Sequence, residues 1–198
     1  MWHAVRVAAS VAGPALIGWA TLGYIREILH GTVRPHRVGW TIWLIATVVG
    51  LVATGRGGAG GPGLAVPATY VAIEAVVAGL AWTDRYGWKR LDGRWEQLLL
   101  PLALGGSVGW IFLPLYAGTW VAIGGDTATA IYTLRKTVED PSSEALWPWA
   151  TSCLGAACGL LALGSYGFTS AGFPAYLVVQ TGMTAAVIWV ASAGTRAT

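Results

Sequence analysis

Asparagine is absent from the sequence, and the only other side-chain amides are Gln97 and Gln180. Charge is scarce as well: Asp, Glu, Lys and Arg make up 11% of the 198 residues, against about 25% in soluble domains. A chain with so thin a polar skin is not a soluble two-domain enzyme, and its apolar content excludes a disordered segment. There are two cysteines, Cys153 and Cys158, five positions apart in one apolar stretch. At that spacing on a helix they face different directions, so they form neither a disulfide nor a metal pair, and the chain is no disulfide-knit secreted module. What is plentiful is apolar: 55% hydrophobic residues, 28 glycines and 12 tryptophans. Together these describe a compact polytopic membrane protein.

A bilayer core takes about 20 mostly apolar residues per helix, and lipid leaves no partner for unpaired backbone. The apolar runs predict seven helices, at about 4–25, 38–55, 64–82, 97–113, 115–134, 145–166 and 172–193. Only the stretch around Pro114 divides the fourth from the fifth. The short alternating segments of a membrane barrel are missing. Arg6 near the start of the first run gives it a faint look of a signal peptide, but the apolar stretch is too long for one and is expected to be retained. The fold class is therefore all-α membrane, in a single domain over 1–198.

Seven spans put the termini on opposite sides. With the N-terminus outside, the inner side holds Arg26, Arg34, Arg37, Arg85, Lys89, Arg90, Arg94, Arg135, Lys136 and Arg196, and the outer side only Arg6 and Arg56. That bias predicts an N-terminus outside and a cytoplasmic C-terminus in a bacterial-type inner membrane. The net charge of +3 thus reports topology and anionic membrane lipid as neighbour, with no nucleic-acid partner implied.

The first and last thirds of the chain correspond. Pro35 and Trp43 recur as Pro141 and Trp149 at an offset of 106, Pro67-Ala68 and Trp82 recur as Pro174-Ala175 and Trp189 at 107, and Tyr24 recurs as Tyr132 at 108. This order predicts two parallel three-helix repeats, about 4–82 and 115–193, joined by a linker helix at about 97–113. The 3+1+3 layout, with a basic proline-containing loop after the first helix of each triplet, resembles the PQ-loop superfamily, including SWEET-type sugar transporters. The segment from Tyr132 to Thr137 followed by Pro141-Ser142-Ser143-Glu144 is similar to the second PQ-loop, and Arg34-Pro35-His36-Arg37-Val38-Gly39-Trp40 to a diverged first copy; Tyr132-Thr133 stands where proline-glutamine would. The resemblance implies small-molecule transport. Sugar recognition in that family draws on paired asparagines, and this chain has none.

Nine acids sort by position. Glu27, Asp84, Asp92, Glu96, Glu139, Asp140 and Glu144 fall in inner loops beside basic residues, where solvated pairing accounts for them. Glu74 and Asp126 fall near the middle of the third and fifth helices. A carboxyl at that depth costs a few kcal/mol or more and usually faces an interior cavity where it does something. In the repeat Glu74 aligns with Thr181 and Asp126 with Gly18, so the two acids are not copies of one feature. They are the candidate proton-transfer pair.

Trp2, Trp88 and Trp95 belong to the interface or loops, and Trp40, Trp82, Trp147 and Trp189 to an aromatic belt. Trp19, Trp43, Trp110, Trp120 and Trp149, with Tyr70 one turn from Glu74 and with Gln180, are candidates to line a substrate cavity. Indole faces stabilise positive charge by about 0.5–2 kcal/mol each. A secondary candidate is a phosphate or diphosphate site at Arg34, His36 and Arg37 with Arg135 and Lys136, where a helix N-terminus and paired cations converge. The positive-inside bias explains the same residues equally well. No metal or cofactor is expected.

Three readings follow. In the first, a lipid-soluble isoprenoid is cyclised: Glu74 or Asp126 protonates an alkene or epoxide, and aromatic faces hold the carbocations while excluding water. Small seven-helix terpene cyclases of meroterpenoid pathways are similar in size, span count and use of a Glu and an Asp. In the second, the PQ-loop resemblance holds and the chain is a proton-coupled transporter, with Asp126 six residues before Tyr132, as some PQ-loop exporters keep an aspartate ahead of that loop. In the third, the acids are merely buried and the chain is structural; stretches such as Gly105-Gly106-Ser107 and Gly155–Gly159 allow close helix packing in any case.

Overall fold

The computed structural model of the chain describes residues 2–87 and 94–195. Trp88, Lys89, Arg90, Asp92 and Arg196, assigned above to loops and the cytoplasmic side, lie outside the described residues, as do the side chains of Arg94, Trp95, Glu96 and Gln97. The described residues form seven α-helices and no strand: α1 (Trp2–His30), α2 (Arg37–Arg56), α3 (Gly60–Ala81), α4 (Arg94–Gly109), α5 (Leu115–Glu139), α6 (Leu146–Leu161) and α7 (Phe168–Thr195). Short 3₁₀ turns at Trp110–Phe112 and Pro141–Ser143 precede α5 and α6. The expected break at Pro114 is present: Leu113 is extended and Pro114 caps α5.

Local chemistry sets the boundaries. α1 ends where Gly31 takes φ +78°, a left-handed conformation that glycine adopts without strain. α2 starts at His36, whose Nδ1 accepts from the Gly39 N–H at 3.0 Å. α2 and α3 are joined within three residues because Gly58 and Gly60 both take positive φ.

Four helices, α1, α2, α3 and α7, are long and apolar enough to cross a membrane, while α6 and Leu100–Phe112 are apolar but shorter. α5 is diluted by Asp126, five threonines and the charges of its last turns. The outward faces remain apolar: Leu22 is 68% and Phe112 84% exposed. A soluble protein does not present such side chains so freely, and lipid accommodates them.

Helices α1 and α3, α2 and α3, α5 and α7, and α6 and α7 pack as neighbours. Across the middle, α1 packs on α6, α2 on α5 and α7, and α3 on α6, while α4 leans on α2 and α5. The α1–α6 crossing is close because both helices place glycine there. A methyl group on Gly155 would stand 2.5 Å from Ile17 Cγ1 and 3.0 Å from the Gly13 carbonyl oxygen. The loops divide by end. Lys136 donates to the Arg34 carbonyl at 3.1 Å, and Arg37 lies 3.9 Å from Asp84. At the opposite end Arg6 donates to the Ala162 carbonyl at 3.4 Å, and Arg56 lies over the Trp110 ring.

One loop assignment is corrected. Glu144 is not a solvated loop acid: its side chain is 3% exposed and meets Lys136, itself 7% exposed, at 2.8 Å. The Pro141–Ser143 turn tucks the chain back under α5, so the acid enters the bundle end.

Candidate functional site

Glu74 on α3 and Asp126 on α5 are 6% and 2% exposed. Both line one cavity between the helices. All of α1, α2, α3, α5, α6 and α7 contribute to its wall, through Thr21, Trp43, Glu74, Asp126, Ser152 and Gln180 among others. The space is creviced: the centre of a water molecule can move through only about 60 Å³ of it. Five rings shape the crevices. Trp40 stands edge-on to Trp43 at 5.0 Å, Trp43 meets Trp149 at 5.7 Å, and Tyr24 meets Trp40 at 5.3 Å. Tyr70, one helical turn before Glu74 and on the same face, completes the set.

The two acids differ in what satisfies them. Tyr176 on α7 donates its hydroxyl to Asp126 Oδ1 at 2.9 Å, and Thr127 Oγ1 lies 3.0 Å from the same tyrosine oxygen. Trp43 faces Asp126 from α2. Glu74 has no such support. The Thr47 hydroxyl faces it, yet neither Glu74 Oε2 nor Thr47 Oγ1 makes a hydrogen bond, although both are fully buried. Buried polar atoms are paired in the large majority of cases, so an oxygen without a strict hydrogen bond stands out in a residue of the cavity wall. The neighbouring Tyr70 hydroxyl is engaged elsewhere, donating to the Ser152 carbonyl at 3.2 Å.

At the end bearing the paired loops, a second polar group closes the cavity. Glu144 accepts from Lys136 Nζ at 2.8 Å, from the Tyr24 hydroxyl at 3.1 Å and from Trp149 Nε1 at 3.2 Å. Tyr24 and Trp149 thus show a ring to the cavity and a polar tip to the buried ion pair.

Of the side chains singled out in the sequence, Glu74, Asp126, Trp43, Tyr70, Trp149 and Gln180 meet at this cavity. Trp19 and Trp120 do not; they are 67% and 60% exposed on the outer surface. Trp110 is buried, but against Gly118 and beneath Arg56, and it does not line the cavity. Trp40, assigned to the belt, lines the cavity instead, whereas Trp82 and Trp189 are exposed at 52% and 64%. The cations proposed for phosphate are drawn to separate partners: His36 caps α2 and stacks on Tyr132, Arg37 lies over Trp82, Arg135 pairs with Glu139 at 2.8 Å, and Lys136 pairs with Glu144. Arg34 is exposed, and its carbonyl holds Lys136.

The sequence singles out neither Tyr24, Thr47, Ser152 nor Tyr176 for this site, and it places Glu144 in a solvated loop. Helical spacing carried a signal for two of them: Thr47 lies four residues after Trp43, and Tyr176 four before Gln180, each on the face of a residue already chosen. Tyr24 was visible as the partner of Tyr132 in the repeat. Among the described residues no three His, Cys, Asp or Glu side chains gather as a metal site. No family model matches the chain, and no curated protein or solved structure matches it with significance.

Proposed function

We propose that the chain spans a bacterial-type inner membrane seven times, N-terminus outside, as two parallel three-helix repeats joined by α4. In this reading it carries a small molecule across in exchange with protons held by Glu74 and Asp126. The packing pattern supports the repeat. Exchanging α1, α2 and α3 for α5, α6 and α7 turns the α1–α6 contact into α5–α2 and the α2–α7 contact into α6–α3, and it returns every pairing among these six helices. The polar residues of α5 suit a span whose inner face borders a cavity. The gathering of Arg34, Arg37 and Lys136 at one end supports the orientation.

The observation that carries the transport reading is that one acid from each proposed repeat lines a single cavity at the seam between them. Substrate sites of repeat-built carriers lie at that seam near mid-membrane, and rocking of the halves exposes them to each side in turn. The test uses liposomes containing the purified protein and loaded with an extract of bacterial small metabolites. An acidic outside should drive selected metabolites out faster than from protein-free liposomes, as read by mass spectrometry. Glu74→Gln and Asp126→Asn should abolish the difference. Equal release with and without protein ends this reading.

Acid-initiated cyclisation of an isoprenoid remains as a second reading, favoured by one observation: Glu74 carries an unpartnered carboxyl oxygen in a pocket walled by aromatic rings. One acid protonates an alkene or epoxide there, and ring faces hold the cation away from water. The narrowness of the crevices weighs against it, since a whole prenyl chain fits only if the side chains part. New products from prenylated quinols in membranes containing the protein would replace the transport reading with this one.

A further inference from the structure

We propose that the guest of this cavity is a lipophilic monoamine, bound as its ammonium ion on Glu74 with its apolar body against the indole faces. This substrate class rests on the carrier reading, and the experiment below separates the failure of one from the failure of the other.

Three features of the cavity converge: charge, hydrogen-bonding capacity and aromatic surface. The wall holds two carboxyls and, among the described residues, no Lys, Arg or His. Lys136 lies behind the cavity-lining Tyr24 and Trp149 and is matched by Glu144. A carboxylate, phosphate or amino-acid zwitterion would therefore bring its negative charge to two acids with nothing to offset it. A sugar would find Gln180 as the only amide in the wall.

The hydrogen-bonding capacity left over fits an ammonium group. Glu74 lines the cavity and its Oε2 is a buried oxygen without a hydrogen bond, faced from behind the wall by the Thr47 hydroxyl. An ammonium group brings three N–H donors and a positive charge to that carboxylate, where an alcohol brings one uncharged donor and a hydrocarbon none. Asp126 already takes the Tyr176 hydroxyl and faces Trp43, so it is served from within the protein. The acids divide the work: Glu74 takes the cation, and Asp126 remains a proton site. The rings supply the third element. Trp43, Trp149 and Tyr70 turn aromatic surface to the cavity, and such faces attract an organic cation most strongly where water is excluded. Charge balances if one ammonium replaces one proton on the Glu74 carboxyl, and the released proton leaves to the side from which the amine came.

The test uses molecules sharing a phenyl ring and differing in their head group: 2-phenylethylamine, 2-phenylethanol, phenylalanine and 3-phenylpropanoate. Binding to the protein in lipid nanodiscs is read by tryptophan fluorescence and by calorimetry. The amine should bind about tenfold or more tightly than the alcohol, the difference expected for a desolvated cation between a carboxylate and aromatic faces. Phenylalanine and phenylpropanoate should not compete. Glu74→Gln should bring amine and alcohol level. Equal binding of alcohol and amine, competition by phenylalanine, or a preference that survives Glu74→Gln overturns the proposal; if the glutamine variant fails to fold, the head-group series on the unaltered protein decides alone. Flux is measured with 2-phenylethylguanidine, which keeps N–H donors, stays cationic at neutral pH and crosses bare bilayers slowly. Amine-selective binding without protein-dependent exchange of this ion would leave the ligand class standing and remove the carrier. Proton-driven release of metabolites without amine selectivity would do the reverse.

Discussion

Tyr176 on α7 reaches across to Asp126 on α5 and donates its hydroxyl at 2.9 Å. The pairing predicts opposite outcomes for two conservative changes. Asp126→Asn keeps an acceptor for the tyrosine, so the fold should survive while proton-driven release is lost. Tyr176→Phe leaves Asp126 short of a donor inside the bundle, which costs about 1–3 kcal/mol. Its thermal unfolding in nanodiscs should fall below that of Asp126→Asn, and a tyrosine variant as stable as the unaltered protein would show that the bond contributes nothing.

Lys136 and Glu144 should behave as a unit. Replacing one partner strands the other charge in a buried place, which typically costs about 3–5 kcal/mol. Lys136→Met is therefore expected to unfold at markedly lower temperature than the unaltered protein. Adding Glu144→Gln removes the stranded charge and should recover most of the loss. Additive losses in the double variant would contradict the pairing.

Glycine positions allow a control within one experiment. Gly155→Val forces side-chain atoms onto Ile17 and the Gly13 backbone, where little can yield, and overpacking of this kind costs about 1–3 kcal/mol. Gly105, on an exposed stretch of α4, has nothing within 4 Å of where a methyl would stand. Gly105→Ala should be neutral or stabilising by up to about 1 kcal/mol, since alanine favours helix over glycine. Differential scanning fluorimetry on both variants reads the contrast, and equal losses would remove the close-crossing account.

Orientation is open to thiol labelling after Cys153 and Cys158 are changed to alanine. Tyr166→Cys, at the end of the bundle with Arg6 and Arg56, should react with a membrane-impermeant maleimide in intact cells. Asp84→Cys, at the opposite end beside Arg37, should react only once the membrane is opened. The reverse pattern would invert the proposed topology.

The sequence made the helices legible because their lengths and apolar runs are set by local composition, and the break at Pro114 followed from proline chemistry. Glu74 and Asp126 stood out because a carboxyl in the middle of an apolar run has few uses. Direction was harder to read. Trp19 and Trp43 sit on helices of similar character, yet one faces outward and the other the cavity, because helix rotation is fixed by packing with partners distant in sequence. Glu144 was misread for a related reason. Its neighbours in sequence are loop residues, but its partners Tyr24 and Trp149 come from two other elements, one of them 120 positions away.

The meeting of Gly13 with Gly155 has a mechanical consequence. Where α1 and α6 cross, the two glycines leave no room for side chains of their own between Ile17, Val66 and each other's backbone, so the helices interlock there. The rocking proposed for the two repeats would then be a tilt about that fulcrum, small near the glycines and amplified toward the helix tips. The side chains swept furthest are those at the extremities, Tyr24 and Trp149 with the carboxylate that clasps them both.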